Sequence, residues 1–296
     1  MKDLMANWPD EKKKKFFDNN FLNATYRQYQ FFRKHKRFLN LRNLKTYDDK
    51  LNWLIINRYD ASYGKYADKY EVRKIIQQNG LDDLVVNLYG VYDRVEDIDF
   101  GNLPEKYVLM LNHGSGPSFY FINRGRYTEK ELASAIEKAK TYLADSMKVN
   151  FYLGGGERQY EDIVPRILCL EYLENNGKVF LTDYKVLCSY GKCISILVVN
   201  ERYGGLDYYS TEWEYLPYVK ESYRSGVIEP KPVLLDEMLQ AASKLSKNLP
   251  LARVDFYIVD NKLYFGEITL TPCAGVHKNL NWLGQIEMGK QIELTK

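Results

Sequence analysis

The chain of 296 residues has only three histidines and four cysteines. His35, His113 and His277 stand far apart, with no acid or cysteine close by in sequence, so no Ser–His or Cys–His nucleophile arrangement is indicated. Cys169, Cys188, Cys193 and Cys273 lie in or beside apolar strand-like segments without metal-ligand spacing, which excludes a zinc-type cysteine site and reads as reduced core thiols of a cytosolic protein. No run reaches the roughly 18 apolar residues of a membrane-spanning helix. The opening MKDLMANWPDEKKKKFF also lacks the apolar stretch of a secretory signal. A cytoplasmic location is therefore expected. The formal charge is only +3 and no nucleic-acid motif is present, so nucleic acid is not an expected partner. There is no internal repeat.

What is present is an ordinary globular balance, with 45% hydrophobic and 27% charged residues. Basicity is local: Lys12 to Lys15, then Arg33, Lys34, Lys36 and Arg37. These are either a solvated helix surface or a contact for an anionic membrane, at its inner face, or for an acidic glycan. The 26 tyrosines suit a face that packs on sugars, although an AT-rich genome gives the same excess.

Apolar spacing over residues 10–57 predicts two or three helices. A further helix opens at Asp68-Lys69-Tyr70 and stops at Asn79-Gly80. Strand-like runs follow at 84–89 and 107–111, with a returning strand at 119–122. Thr128-x-x-Glu131 has the order of a capping box for a helix through Leu143. Gly154-Gly155-Gly156 reads as a flexible joint. Strands are expected at 167–173, 179–187 and 194–199, and residues 201–230 read as a long aromatic loop. A helix from Leu235 precedes a closing hairpin, 254–259 and 263–268, turned by Asp260-Asn261-Lys262. Alternating strands, hairpins and helices give a layered α+β architecture.

Three constellations carry candidate chemistry. The hairpin sets Asp255 and Glu267 on adjacent strands about 5 Å apart, with Arg253 on the face of Asp255. Paired carboxylates with oxygen-only ligation suit magnesium shared with phosphate oxygens, while Arg253 suits a carboxylate or developing oxyanion. An Arg253–Glu267 ion pair without metal fits the same pattern equally well. Second, Asn112-His113-Gly114-Ser115-Gly116-Pro117 is either a phosphate-approaching loop or an ordinary hairpin turn. Third, Glu171 and Glu174 fit ribose or adenine contacts, and Lys185, after Asp183, fits a phosphate contact. Taken singly, each is also a plain strand charge.

In order, these pieces resemble the ATP-grasp superfamily, in its teichuronopeptide-biosynthesis (TupA-like) branch. The resemblance runs over roughly residues 40–285. It is carried by LKTYDDKLNW at 44–53, Ala67-Asp-Lys-Tyr-Glu-Val-Arg73, Leu103-Pro-Glu-Lys-Tyr-Val-Leu109, Asn112-His-Gly-Ser-Gly116, Pro165-Arg-Ile167, Glu171-Tyr-Leu-Glu174, Asp183-Tyr-Lys185, Arg253-Val-Asp255, Tyr264-Phe-Gly-Glu-Ile-Thr269 and Pro272. It implies two α+β lobes clasping ATP, after an N-terminal helical and α/β region: 1–105, a small lobe at 106–175 with the glycine loop, and a C-terminal lobe at 176–296 with the metal hairpin. It implies an ATP- and magnesium-dependent ligase that forms an amide through an acylphosphate, from a small-molecule or glycan carboxylate and an amine, in surface polysaccharide biosynthesis. The implied site is Asp255, Glu267 and Thr269 on magnesium, with Arg253 and Lys185 at the reacting groups. Lys69, His113, Gly114, Ser115, Gly116, Glu171, Tyr172, Leu173, Glu174, Asp183 and Lys185 are implied around the nucleotide. Two departures stand out. Met110 replaces the family's phosphate-binding lysine, so that Lys106, Lys185 or another base is needed there. At Gly156-Glu-Arg-Gln-Tyr160 only Glu157, Gln159 and Tyr160 fit the family's stretch. A degenerate nucleotide- or glycan-binding module and a sugar-transferring enzyme are the alternatives.

Overall fold

The computed structural model describes residues 5–114, 116, 118–122, 125, 127–174, 181–199 and 204–294. Helices α1 (Asp10–Asp18), α2 (Asn20–His35), α3 (Tyr47–Asn57), α4 (Gly64–Ala67) and α5 (Val72–Gln78) come first. Asn19 caps α2 by accepting from the backbone N–H groups of Phe21 and Leu22, and Thr46 with Asp49 forms a full capping box on α3.

Two antiparallel sheets then organise the chain. One has four strands in the order β1 (Leu88–Tyr92), β4 (Ile167–Glu171), β2 (Tyr107–Leu111), β3 (Phe119–Phe121). The other runs β10 (Lys262–Thr269), β9 (Ala252–Val259), β5 (Asp183–Ser189), β6 (Lys192–Val199), β7 (Leu206–Tyr209), β8 (Tyr215–Leu216). Strand alternation makes the smaller sheet two-faced. Tyr107, Leu109, Ile167 and Cys169 form a core with Ala139 and Leu143 of α6 (Glu129–Met147), whereas Val108, Met110 and Leu170 line a cleft towards the larger sheet. Thr128 and Glu131 make the expected capping box of α6.

The sheets divide the chain differently from the expected boundaries. β1 belongs to the small lobe, so that lobe begins before residue 105. The N-terminal helices are no separate unit either: Tyr47, Leu51, Leu54 and Ile55 of α3 and Val72 and Ile76 of α5 share one core with β5, β6, β9 and α8 (Leu235–Ser246). Helix α9 (Trp282–Gln291) packs back on α3. The three glycines at 154–156 form no loose joint. They close the short helix α7 (Phe151–Gly155), which Asn150 caps and Gly156 ends at φ +71°.

Residues 204–230 also depart from the expected loop. β7 and β8 extend the larger sheet, and several aromatic side chains turn inward: Tyr208, Tyr209 and Tyr218 are buried and Trp213 stacks on Tyr209 at 4.4 Å, whereas Tyr215 and Tyr223 stay exposed. Rings of this size gain more by mutual burial than by facing water, so much of the segment's aromatic surface is spent on its own packing. Tyr203 lies outside the described residues.

Candidate active site

The C-terminal hairpin builds the charged floor of the cleft. Asp260 and Asn261, both at positive φ (+50° and +58°), make the tight turn that joins β9 to β10. The register is then regular from Lys262↔Val259 to Phe265↔Phe256, and resumes at Ile268↔Val254. Gly266 and Glu267 together face Asp255, which is a β-bulge. A Cβ on Gly266 would meet Tyr257 Cε2 at 3.0 Å and the Asp255 carbonyl at 3.1 Å. The bulge therefore aims the Glu267 side chain into the cleft beside Asp255.

β5 supplies the next charge, since Lys185 pairs across with Asp255 and Leu187 with Arg253. Arg253 Nε and Nη2 donate to Asp255 Oδ1 and Oδ2, each at 2.7 Å, and Lys185 Nζ donates to Oδ2 at 2.8 Å. Arg253 Nη2 also reaches Glu267 Oε1 at 3.2 Å and Thr269 Oγ1 at 3.0 Å, and Thr269 donates to Glu267 Oε1 at 2.8 Å. Lys69, at the end of the segment leading into α5, comes within 3.3 Å of Glu267 Oε2 and donates to the Gly114 carbonyl at 2.8 Å. Lys185 lies 3.0 Å from Asp183 as well. Three carboxylates are thus matched by three cations. Both the carboxylate pair and the arginine pairing expected from sequence are present in one network.

Charge decides the protonation states. Burial pushes the Glu267 carboxyl up, but Lys69, Arg253 and the Thr269 hydroxyl outweigh it and hold the group at about 2. Burial pulls Lys185 down, yet Asp255 leaves it raised. Burial, with Asp183, Asp255 and Glu267 nearby, pushes the Tyr257 phenol well up. Because the Glu267 value falls below its ordinary 4.5 on folding, it contributes stability that is fully present above about pH 4.5 and lost as pH falls towards about 2. In magnesium-free buffer, denaturant unfolding followed from pH 5 to 2 is expected to fall less steeply for Glu267→Gln than for wild type; parallel curves would refute the pairing.

Above this floor the cleft encloses about 530 Å³, within the range of small-molecule sites. Val86, Val108, Met110, Leu170, Leu173 and Leu181 contribute apolar lining, and Lys69, Lys185, Asp183, Asp255 and Glu267 charged lining. Gly114 needs its glycine: φ is +69° and a Cβ would lie 2.1 Å from Phe151 Cζ.

Of the expected nucleotide contacts, Lys69, Gly114, Gly116, Glu171, Tyr172, Leu173, Asp183 and Lys185 line the cleft. Ser115 lies outside the described residues. Two do not reach the cleft. His113 is buried, with its ring edge-on to Phe151 at 5.3 Å and Nδ1 3.3 Å from Asn112 Oδ1, because the loop turns it inward. Glu174 forms an exposed ion pair with Lys106, and neither residue lines the cleft. Glu171 lines the cleft while accepting from Asn87 Nδ2 at 2.9 Å. Arg253 and Thr269 act from behind the carboxylates. Arg73, Tyr120, Tyr142 and Tyr257 line the cleft as well; of these only Arg73 lies in a stretch that carries the family resemblance, and none was singled out as a site residue. Arg73 donates to the Val86 carbonyl at 2.8 Å.

The residues fit a nucleotide: apolar side chains can cover a base, and Lys69 and Lys185 can meet phosphates. Among the described residues no group of three or more His, Cys, Asp or Glu is placed to hold a metal by itself. Asp255 has both oxygens occupied by nitrogen donors, whereas Glu267 Oε2 meets only Lys69. The set therefore fits a magnesium ion that arrives with phosphate oxygens, held chiefly by Glu267, and not a resident metal.

Two more clusters are invisible in sequence. Glu157 and Gln159 both meet the Thr271 hydroxyl, Gln159 Nε2 at 2.8 Å, tying the 157–160 stretch to the segment after the hairpin. His277 Nδ1 lies 2.7 Å from Asp48 Oδ1, and its ring packs edge-on against Tyr47 at 4.6 Å. Asp48 and His277 are 229 positions apart, so the linear spacing did not indicate this histidine's acid partner, although Cys273 stands only four residues before it.

Comparison with known proteins agrees with the geometry. No curated protein matches the chain. Among solved structures, an L-amino acid ligase from Bacillus licheniformis shares 16% identity (TM-score 0.40) over 70% of this chain and 43% of its own. A D-alanine–D-alanine ligase from Bacillus anthracis, complexed with ATP, shares 17% (TM-score 0.43) over 78% and 66%. The ATP-grasp ligase PsnB, with a precursor variant, Mg and ADP, shares 13% (TM-score 0.39) over 75% and 56%. The chain thus spans less than two thirds of these proteins' lengths, and likeness this distant adds no weight. The family model "TupA-like ATPgrasp" matches residues 49–292, which takes in both sheets and every charged group of the cleft, so the chain belongs to the TupA-like ATP-grasp family and has its α+β fold.

Proposed function

We propose that the protein is an ATP- and magnesium-dependent ligase that joins a carboxylate to an amine during assembly of a bacterial surface polysaccharide, on the cytoplasmic side of the membrane. The observation that carries this reading is the cleft itself, whose lining combines apolar side chains with paired carboxylates and the cations that balance them. ATP supplies the activation: a donor carboxylate oxygen takes the γ-phosphoryl group as ADP leaves, and the amine then displaces phosphate with loss of one proton. Lys69 and Lys185 would turn from Glu267 and Asp255 to phosphate oxygens, which frees carboxylate oxygens for magnesium alongside Thr269. Arg253, held by Asp255, would stabilise the oxyanion at the acyl carbon. The apolar walls exclude water, which would otherwise compete with the amine. Purified protein is expected to release ADP and phosphate only when a uronic or amino acid and an amine are both present. Failure to release ADP with any such pair would end the ligase reading.

Met110 is the argument for a non-catalytic binding module. Its thioether lines the cleft, but Lys69 and Lys185 already bring positive charge there. Met110→Lys is therefore expected to change ATP affinity by less than about threefold, or 0.7 kcal/mol. A tenfold gain in calorimetry would favour a decayed site. Sugar transfer has less support: the Asp97-Ile98-Asp99 triplet sits on an exposed turn outside the cleft, with Asp97 held by Arg94 at 2.6 Å.

The basic N-terminal residues separate into two groups. Lys13, Lys14 and Lys15 are paired with Asp10, Asp18, Glu161 and Glu11. Arg33, Lys34, Lys36 and Arg37 form no ion pair among the described residues, and Lys34 is pressed against Lys278, which lowers its proton affinity. Exposed Phe32 and Phe38 stack at 4.8 Å beside them, and Arg37 lies over exposed Trp282 at 5.4 Å. We propose that this face meets an anionic bilayer, with the rings at headgroup depth. Sedimentation with phosphatidylglycerol vesicles should fall when Lys34 and Arg37 are both changed to Glu, and should fall with added salt. Equal sedimentation of both proteins would contradict it.

A further inference from the structure

The hairpin of β5 and β6 brings two cysteines face to face. Tyr190 and Gly191, at φ +46° and +80°, form its two-residue turn, and a turn of this kind makes the flanking pair, Ser189 and Lys192, a hydrogen-bonded one. Pairs alternate along an antiparallel ladder, so the next pair, Cys188 opposite Cys193, is non-hydrogen-bonded and brings its Cα atoms to about 4.5 Å. A disulfide needs its Cα atoms about 4.4–6.8 Å apart. The bulge at Ile194 falls on the far side of the pair, between Cys188↔Cys193 and Leu187↔Ser195, and leaves this geometry intact. The sulfurs already meet. The Cys188 thiol donates to Cys193 Sγ at 3.6 Å, and the Cys193 thiol donates to the Leu239 carbonyl of α8 at 3.5 Å.

The end of the hairpin is held from outside. Ser189 Oγ donates to the Pro250 carbonyl at 2.7 Å and accepts from the Glu293 N–H at 3.0 Å, and the Tyr190 N–H donates to the Leu249 carbonyl at 2.7 Å. The two thiols are therefore kept opposed. We propose that Cys188 and Cys193 form a modification site, an oxidisable dithiol that closes to a disulfide on meeting hydrogen peroxide. Access sets the roles: Cys193 is half-buried and attacks, whereas Cys188 is fully buried and resolves. The Cys193 sulfur attacks one peroxide oxygen, the O–O bond breaks, and the thiol's proton leaves with the hydroxide as water. The Cys188 sulfur then attacks the Cys193 sulfur, the S–O bond breaks, and the Cys188 proton leaves with that hydroxide as a second water. Two thiols lose two electrons and one peroxide becomes two waters.

Proton affinities follow the same division. The hydrogen bond from Cys188 draws the Cys193 thiol below its ordinary value, against the opposing effect of burial, and it is the thiolate that reacts with peroxide. That bond and burial together push the Cys188 thiol up, so its proton stays until the second step. The other cysteines stand elsewhere: Cys169 is in β4 of the smaller sheet, and Cys273 is in the turn Pro272–Gly275. A resolving thiol in contact keeps oxidation reversible, because the sulfenic acid condenses before a second peroxide carries it to sulfinic acid. The site does not depend on the ligase reading.

Peptide mapping of the full-length protein after brief exposure to hydrogen peroxide tests this, with free thiols blocked by iodoacetamide before digestion. Trypsin cuts after Lys185 and Lys192, between the two cysteines, so the disulfide joins fragments 186–192 and 193–202. This linked species, lighter by two hydrogens than its parts, should form at least about tenfold faster than any link through Cys169 or Cys273, and dithiothreitol should undo it. At the same peroxide dose Cys188→Ser should accumulate sulfinic acid at Cys193 at least about tenfold above wild type. Should that variant fail to fold, urea unfolding of the wild type decides: the oxidised protein should have the higher midpoint, because a disulfide that fits the native hairpin constrains the unfolded chain. Links spread over all four cysteines, sulfinic acid at Cys193 of the wild type in place of the link, or a midpoint lowered by oxidation would overturn the proposal.

Discussion

Asp255→Ala is expected to cost the fold about 3–5 kcal/mol, the usual penalty for removing one partner of a buried ion pair. Asp255 is 2% exposed and carries three strong donors, two from Arg253 and one from Lys185. Without it, two buried cations keep only Glu267 and Asp183 as partners. The surface pairs of α1 behave differently: Lys15 and Glu11 are both more than three-quarters exposed, and losing such a pair costs about 0–1 kcal/mol. Urea unfolding of Asp255→Ala, Lys185→Met and the double variant separates the contributions. The double variant should be more stable than the sum of the single losses, because it no longer leaves the lysine unpaired. A loss under about 1 kcal/mol for Asp255→Ala would mean that water reaches the cluster and relieves it.

Lys69→Met is expected to weaken magnesium–ATP binding by about 10- to 100-fold, the loss of one or two charge-assisted hydrogen bonds. Lys69 is the cation best placed to serve where Met110 stands. Its backbone N–H donates to the Asn112 carbonyl at 2.8 Å and its ammonium to the Gly114 carbonyl, so the glycine loop and the lysine move as one unit. The same substitution removes the main charge that lowers the Glu267 carboxyl, so the affinity loss should be larger at pH 5 than at pH 8. Unchanged affinity would place the phosphates elsewhere, at Arg73 or Lys185.

Short-range features of this architecture were legible in the sequence, and long-range ones were not. The strand–turn–strand from Ala252 to Thr269 shows itself through alternation and the Asp260-Asn261 turn, so the closeness of Asp255 and Glu267 could be read directly. The bulge at Gly266-Glu267 could not, because a bulge is set by pairing with the neighbouring strand. β1 pairs with β4 across two intervening strands and the helices α6 and α7, Leu88 with Leu170, so a boundary drawn at residue 105 cut through a sheet. The aromatic segment looked solvent-facing because composition does not record burial: Tyr209 and Trp213 satisfy each other. His113, in the middle of a promising loop, turned inward because Gly114 packs so tightly on Phe151. The Asp48–His277 pair joins residues 229 positions apart, and no local pattern announces it. The family resemblance named the hairpin carboxylates and Lys69, which the fold brings into one network.

The central claim is that magnesium–ATP occupies the cleft between the two sheets through Glu267. Calorimetric titration of wild type and Glu267→Gln with ATP, with and without magnesium, tests it most directly. The account predicts one magnesium-dependent site in wild type that the variant loses, while its fold, checked by circular dichroism, is retained. No binding by wild type, or equal binding by both proteins, would contradict it.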